Sequence, residues 1–339
     1  MEKITIKDVA KKANVSTATV SRVINGDYPV SKEAKERVLE AINVLNYTPN
    51  AVARSLKIKK TDTIGLIVPD ISNPYFMKMA KGIEKVVAKE GYSLLMGSTH
   101  DNPDNEVELL DLFHERRVEA IVLATCQNNK DNIESLINLG INIIMVDRKI
   151  SGVKTAVILL DNFESSYNIT EKLIKNGHKE ILTVNGNPTI STEQDRYLGF
   201  LKALEDNNIE VNKNLQLRNI LSKEKAYDSI IKFLSEEIKF PTSIYCTNHY
   251  LLEGTLLALK KLKIRVPEDV SLVCFGETNA AKLLKPKITT VSYDSYKLGE
   301  KCGHIVLDKI NKRLKDGEIE YIIQTKIFGG ESIKEKSEN

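Results

Sequence analysis

Apolar residues recur at helical spacing over the first 46 positions. Ile6, Val9, Ala10 and Ala13 share one face of a predicted helix, Val20, Val23 and Ile24 a face of a second, and Ala34, Val38, Ala41, Ile42 and Leu45 a face of a third. Thr5 with Asp8 makes a capping-box pattern at the first start, Ser16 can cap the second helix, and the third begins at Ser31. Asn14-Val15-Ser16 reads as a tight turn, and Asn25-Gly26-Asp27-Tyr28-Pro29 as a break. Tyr47-Thr48-Pro49-Asn50 ends the bundle, and Asn50 can cap one further short helix, AVARSLK, ahead of a polar and basic linker.

From Ile64 the pattern changes to short, nearly continuous apolar runs separated by longer amphipathic ones, as in parallel strands covered on both faces by helices. Strands are expected at 64–68, 93–97, 120–125, 143–147, 156–161, 181–186, 243–248, 270–275, 289–294 and 322–328. Ten strands crowd a single sheet, so two α/β lobes are expected, with a ligand crevice beyond the C-terminal ends of the strands. The organisation that follows is a helical head over 1–49, a hinge helix and linker over 50–61, a two-lobed body over 62–330 and a frayed polar tail over 331–339.

Charge sharpens this division. Residues 1–60 carry 12 Lys and Arg against 6 Asp and Glu, whereas the remainder carries 37 against 40. A small basic module attached to a near-neutral body is the pattern of a protein that meets a polyanion. With 42% hydrophobic residues the chain can bury a large core, which excludes a wholly disordered or collagen-like protein. The sequence begins without the apolar run of a signal peptide and holds no stretch long enough for a membrane helix, so a cytoplasmic protein with no membrane partner is expected. Cys126, Cys246, Cys274 and Cys302 form no CxxC pair and are expected to be buried, reduced thiols.

Asp8-Val9-Ala10 through Ser21-Arg22-Val23 has the size and turn of a helix-turn-helix, whose second helix presents its early residues to the major groove of DNA. Thr17 can exchange a hydrogen bond with a base edge, the Ala18 methyl can meet a thymine methyl, and Arg22 can fork onto guanine, with Ser21 on the same face. Thr5, Ser16, Thr19 and Asn25 complete the DNA-facing set, and the last three suit phosphate oxygens.

These residues carry a resemblance. TIKDVAKKANVSTATVSRVING followed by YTPNAVARSLK is similar to the signature of the lactose/galactose repressor family of bacterial transcription regulators. The likeness continues through IGLIVPDISNPYF, MVDR, RYLGFLKAL, RVPEDVSLVCF and PKITTV to about residue 330. It implies an all-α helix-turn-helix head on a two-lobed α/β body of the periplasmic-binding-protein type, with Rossmann-like lobes. It also implies that AVARSLK is a hinge helix that folds on the operator, with Asn50, Ala53, Arg54, Leu56 and Lys57 at the DNA and Leu56 wedged into the minor groove. Seven residues are too few for a stable isolated helix, and a leucine flanked by Arg54 and Lys57 suits a kinking wedge with phosphate clamps.

The resemblance further implies a small-molecule effector between the lobes, held by Tyr75, Phe76, Asp147, Arg148, Arg196, Asn248 and Gly276. Two positions depart from the family. Where relatives commonly carry Gly-Phe-Asp this chain reads Cys274-Phe275-Gly276, and the usual Asp after the cleft asparagine is His249. Loss of acceptor charge beside Arg148 and Arg196 points to an anionic effector, a sugar acid or sugar phosphate, although Glu277 could restore the carboxylate.

The function expected is repression of a sugar or sugar-acid operon by a homodimer on a palindromic operator, the two heads about 34 Å apart. The tail lacks leucine heptads that would join dimers into tetramers. A protein co-repressor in place of the small effector, or an exported solute-binding protein, are the competing readings. No cofactor, metal or enzymatic activity is expected: GxGxxG, GxxxxGK, GxSxG and HExxH are missing, and the five His are not spaced with Cys as zinc ligands.

Overall fold

The computed structural model describes residues 4–25, 29–47, 61–236, 240–276, 284–314, 317 and 319–336. It divides into two compact units, Met1–Thr61 and Asp62–Asn339. The smaller holds the three expected helices, α1 (Ile6–Ala13), α2 (Thr17–Asn25) and α3 (Lys32–Leu45). Val9, Ala10, Ala13, Val20, Val38 and Ala41 are its buried core, so each helix spends its apolar stripe on the other two. The caps are those the sequence pattern requires. The Asp8 carboxylate accepts from Thr5 N and Oγ1 at 2.8 and 2.7 Å, Ser16 Oγ accepts from Thr19 N at 3.1 Å, and Ser31 Oγ from Ala34 N at 3.3 Å. Asn14 adopts a left-handed φ of 51° to turn the chain between α1 and α2.

The larger unit contains two six-stranded sheets. The first is built from β1 (Thr63–Val68), β2 (Ser93–Ser98), β3 (Ala120–Leu123), β4 (Asn142–Val146), β5 (Ala156–Leu160) and β11 (Ile319–Ile323), in the order β11-β5-β4-β3-β1-β2 and parallel throughout. The second comprises β6 (Ile181–Val184), β7 (Gln216–Leu217), β8 (Ser243–Cys246), β9 (Ser271–Phe275), β10 (Thr289–Ser292) and β12 (Lys326–Phe328), in the order β12-β10-β9-β8-β6-β7. Only β12 runs antiparallel to its neighbour. The central strands are buried along their whole length, which is why they read as unbroken apolar runs.

Helices α4 (Pro74–Val87), α5 (Pro103–Glu115) and α6 (Lys130–Asn138) connect strands of the first lobe, while α7 (Asn162–Lys175), α8 (Ser191–Asp206), α9 (Lys223–Glu236) and α10 (His249–Lys261) lie in the second. The chain changes lobe after β5, after β10 and between β11 and β12. Helix α11 (Ser295–Ile310) therefore follows a second-lobe strand yet packs on α4 of the first. A Cβ at Gly299 would stand 2.0 Å from the Met79 carbonyl, so only glycine permits that approach.

Three expectations need correction. The run 322–328 is two strands, because Gln324-Thr325 is a crossing between lobes and the chain must join a different sheet on each side. The two-residue edge strand β7 was too short to leave a periodic signal. The tail is not frayed over 331–336. Ser332 is fully buried, its Oγ donating to Leu272 O at 2.6 Å and accepting from Thr289 N at 2.8 Å, and Lys336 N donates to Asn176 O at 2.9 Å. Backbone pairing outweighs the polar composition there, so the body extends beyond residue 330. All four cysteines are buried and free. Among the described residues no helix is long and apolar enough to cross a membrane.

Candidate DNA-reading face and effector cleft

On α2, Val20 is fully buried and Val23 and Ile24 pack against the head's core. The opposite face is thereby fixed outward: Thr17, Ala18 and Arg22 are exposed and Ser21 is half-buried, grouped by i,i+4 spacing. Ser16 and Thr19 share a hydrogen bond at 2.9 Å between their hydroxyls, so the pair that closes the cap also stands at the start of this face. Thr5 is occupied with Asp8, whose carboxyl is held below its ordinary range by the Thr5 side-chain and backbone hydrogen bonds. Helix α1 adds exposed Lys7, Lys11 and Lys12. The Asn25 side chain and the hinge set Asn50, Ala53, Arg54, Leu56 and Lys57 lie outside the described residues.

In the body, the C-terminal strand ends of both lobes surround a cavity of about 430 Å³. Of the seven residues assigned to an effector, Tyr75, Phe76, Asp147, Arg148, Arg196 and Asn248 line it. Gly276 does not. It has a φ of 98°, and a Cβ there would lie 3.1 Å from Tyr293 Oη, so the residue sits at the hydroxyl end of a tyrosine that does line the cavity.

The first-lobe side begins with Asn73, whose Oδ1 caps α4 through Tyr75 N at 3.0 Å and so sets Tyr75 and Phe76 in the helix's first turn. Tyr75 Oη donates to Asp147 Oδ1 at 2.7 Å, and burial together with the Asp147 charge pushes the phenol far above its ordinary pKa. Asp147 has a left-handed φ of 65° directly after β4, a backbone geometry that costs energy in a non-glycine residue and turns the chain sharply ahead of Arg148. Arg148 bonds Asp101 at 2.5 Å. Burial opposes its charge, but the Asp101 carboxylate outweighs that and holds the guanidinium above its usual range.

The second-lobe side is organised by Glu193, buried on α8. Its Oε2 accepts from Gly186 N at 2.9 Å and Thr247 Oγ1 at 2.5 Å, and its Oε1 accepts from Asn248 Nδ2 at 2.8 Å and lies 3.6 Å from the Arg196 guanidinium. Arg196 also donates to Asn162 Oδ1 at 2.9 Å and to Thr247 O at 2.8 Å, with its guanidinium stacked 3.8 Å over Phe275. Asn248 caps α10 through Leu251 N. His249 follows, and burial with the nearby Arg196 charge lowers its pKa to about 4. Tyr293 faces Tyr75 edge-on at 5.4 Å, completing an aromatic wall.

Sequence reading missed Glu193, Tyr293, Tyr250 and Asp70, all of which line the cavity. Glu193 could have been found from its i,i+3 spacing to Arg196 at the start of a helix, and Asp70 from its place just past β1. Carboxylates outnumber guanidinium groups in the cleft among the described residues, and Glu277 lies outside them. Asp70, Asp101, Asp147 and Glu193 line the cavity against Arg148 and Arg196. Glu193 provides a carboxylate in the absence of one at Gly276.

A small helical head of this geometry on a two-lobed body with a polar cleft defines a ligand-responsive DNA-binding regulator. Residues 5–50 match the model of bacterial regulatory proteins of the lacI family, and residues 61–330 match that of periplasmic binding proteins and the sugar binding domain of the LacI family. The chain belongs to the LacI family of DNA-binding transcriptional repressors; it is not an enzyme. It is 33% identical over 316 residues to the HTH-type transcriptional repressor PurR of Histophilus somni, covering 93% of this chain and 95% of that one. Its fold matches the lac repressor dimer bound to operator and the anti-inducer ONPF with a TM-score of 0.87 at 22% identity, over 98% of this chain and 100% of that one. A LacI family transcriptional regulator from Enterococcus faecium with bound ribose matches with a TM-score of 0.72 at 25% identity, covering 81% and 100% of the two chains.

Proposed function

We propose that the chain represses transcription as a cytoplasmic homodimer on a palindromic operator, and that a small polyhydroxylated effector in the cleft sets its operator affinity. The exposed face of α2 supports base reading by Thr17, Ala18, Ser21 and Arg22, while Ser16, Thr19 and Asn25 suit phosphate oxygens, Thr5 completes the DNA-facing set, and in the hinge set Leu56 takes the minor groove with Arg54 and Lys57 on the phosphates beside Asn50 and Ala53. Only a ligand with different affinities for two lobe arrangements can drive such a switch.

The observation that carries the effector reading is the set of paired charges in the cleft. Arg148 faces Asp101 and Arg196 faces Glu193, and Asp147 and Asp70, each already accepting from a tyrosine hydroxyl, keep further carboxylate lone pairs beside an aromatic wall. Carboxylates and an asparagine amide suit vicinal hydroxyls, and the tyrosine rings suit an apolar sugar face. An anion would enter against the carboxylate excess, so a neutral sugar replaces the sugar acid or phosphate as the favoured class. Calorimetric titration of the purified protein with neutral pentoses and hexoses, and with their acids and phosphates, tests this. Tighter binding of a neutral member supports the reading, and tighter binding of an acid overturns it.

A further inference from the structure

Among the described residues, hydrogen bonds cross between the lobes at separate places around the cleft. Tyr250, at the start of α10 in the second lobe, donates from Oη to Asp70 Oδ2 of the first lobe at 3.1 Å. Elsewhere, the Lys149 backbone N–H of the first lobe donates to Ser191 Oγ, at the first residue of α8 in the second, at 3.1 Å. The Asp70 carboxylate is already oriented for its partner: Ser72 N and Oγ both donate to Oδ1 at 2.7 Å. The Tyr250 ring is braced by His249, centroids 4.2 Å apart. Both Asp70 and Tyr250 line the cavity, while the chain's three crossings between lobes supply the hinge.

We infer that Asp70 and Tyr250 form a latch at the cleft that holds the lobes together and sets how firmly an effector is retained. The latch itself stands on the lobe geometry; only its consequence for an effector rests on the function proposed above. A two-lobed body with a flexible hinge samples open and closed forms, and a hydrogen bond made only in the closed form shifts that equilibrium toward closure. Each lobe is built on its own sheet, so breaking the latch should loosen contacts elsewhere across the cleft that Tyr250 does not touch.

The Lys149 amide is a natural reporter, because its hydrogen bond exists only while the lobes meet. Residue-resolved hydrogen exchange on the full-length chain would compare the wild type with Tyr250→Phe, Asp70→Ala and Asp70→Asn. Tyr250→Phe and Asp70→Ala should each speed Lys149 exchange about two- to tenfold, as expected for one lost hydrogen bond. Val122 in β3, inside the first lobe, should be unchanged. Asp70→Asn, whose amide can still bond the phenol, should stay near the wild-type rate. An unchanged Lys149 rate in Tyr250→Phe, or a uniform rise that includes Val122, contradicts the latch. Either result leaves the identity of the cleft as an effector site to be judged by titration alone.

Discussion

Asn248 and Glu193 meet in the second-lobe wall of the cleft, Asn248 Nδ2 donating to Glu193 Oε1 at 2.8 Å while Asn248 Oδ1 caps α10. One buried carboxylate thus joins α8, the turn after β6 and the start of α10. Glu193→Ala leaves Gly186 N and Thr247 Oγ1 without this acceptor, and the loss should be about 1–3 kcal/mol of stability, measured by urea denaturation. Effector affinity should fall with it, because Asn248 and Arg196 lose a common partner. A midpoint equal to that of the wild type would show that the carboxylate organises nothing.

Arg22 is exposed on the face of α2 opposite the buried Val20. Arg22→Ala should reduce discrimination between operator and mismatched duplex by about 1–3 kcal/mol. Lys57→Ala should instead weaken binding on all DNA and reduce the salt slope by about one. Fluorescence anisotropy over a salt series separates the two, and retained discrimination in Arg22→Ala would place recognition elsewhere.

Stability should fall on mild acidification. His249 titrates at about 4 when folded against 6.5 for the ordinary side chain, so the unfolded chain binds more protons between those values. The folded state is therefore fully favoured above about pH 6.5 and loses up to about 3 kcal/mol as the pH approaches 4. His178, also lowered by burial, acts in the same direction. Replacing His249 by Gln should flatten the profile in thermal melts at stepped pH.

The C-terminal segment closes the second lobe. Removing residues 331–339 strips the hydrogen-bond partners from Leu272 N and O, Thr289 N and the His178 ring, and should destabilise the body by at least about 3 kcal/mol. Equal unfolding midpoints for the full and shortened chains would contradict this.

Much of this architecture is legible in the sequence because its strands are buried on both faces. Runs such as AIVL and AVILL have no alternation to misread, and the head's caps lie at fixed offsets from apolar stripes. What was illegible depends on contacts distant in the chain. Ser332 looks like tail until Leu272 and Thr289 stand beside it, and Gly276 looks like cleft until the neighbouring Tyr293 is found to line the cavity instead. The cleft's carboxylates were illegible for the same reason: the departures at Gly276 and His249 do not reveal Glu193 arriving from another helix.

Reading of a specific duplex by the head underlies the whole regulatory function proposed. Selection of the full-length protein against a pool of random duplexes, sequenced after each round, tests it most directly. A palindrome should be enriched, with a sequence preference that survives Lys57→Ala although binding weakens, and that declines in Arg22→Ala. Recovery of a pool no different from the input would contradict it.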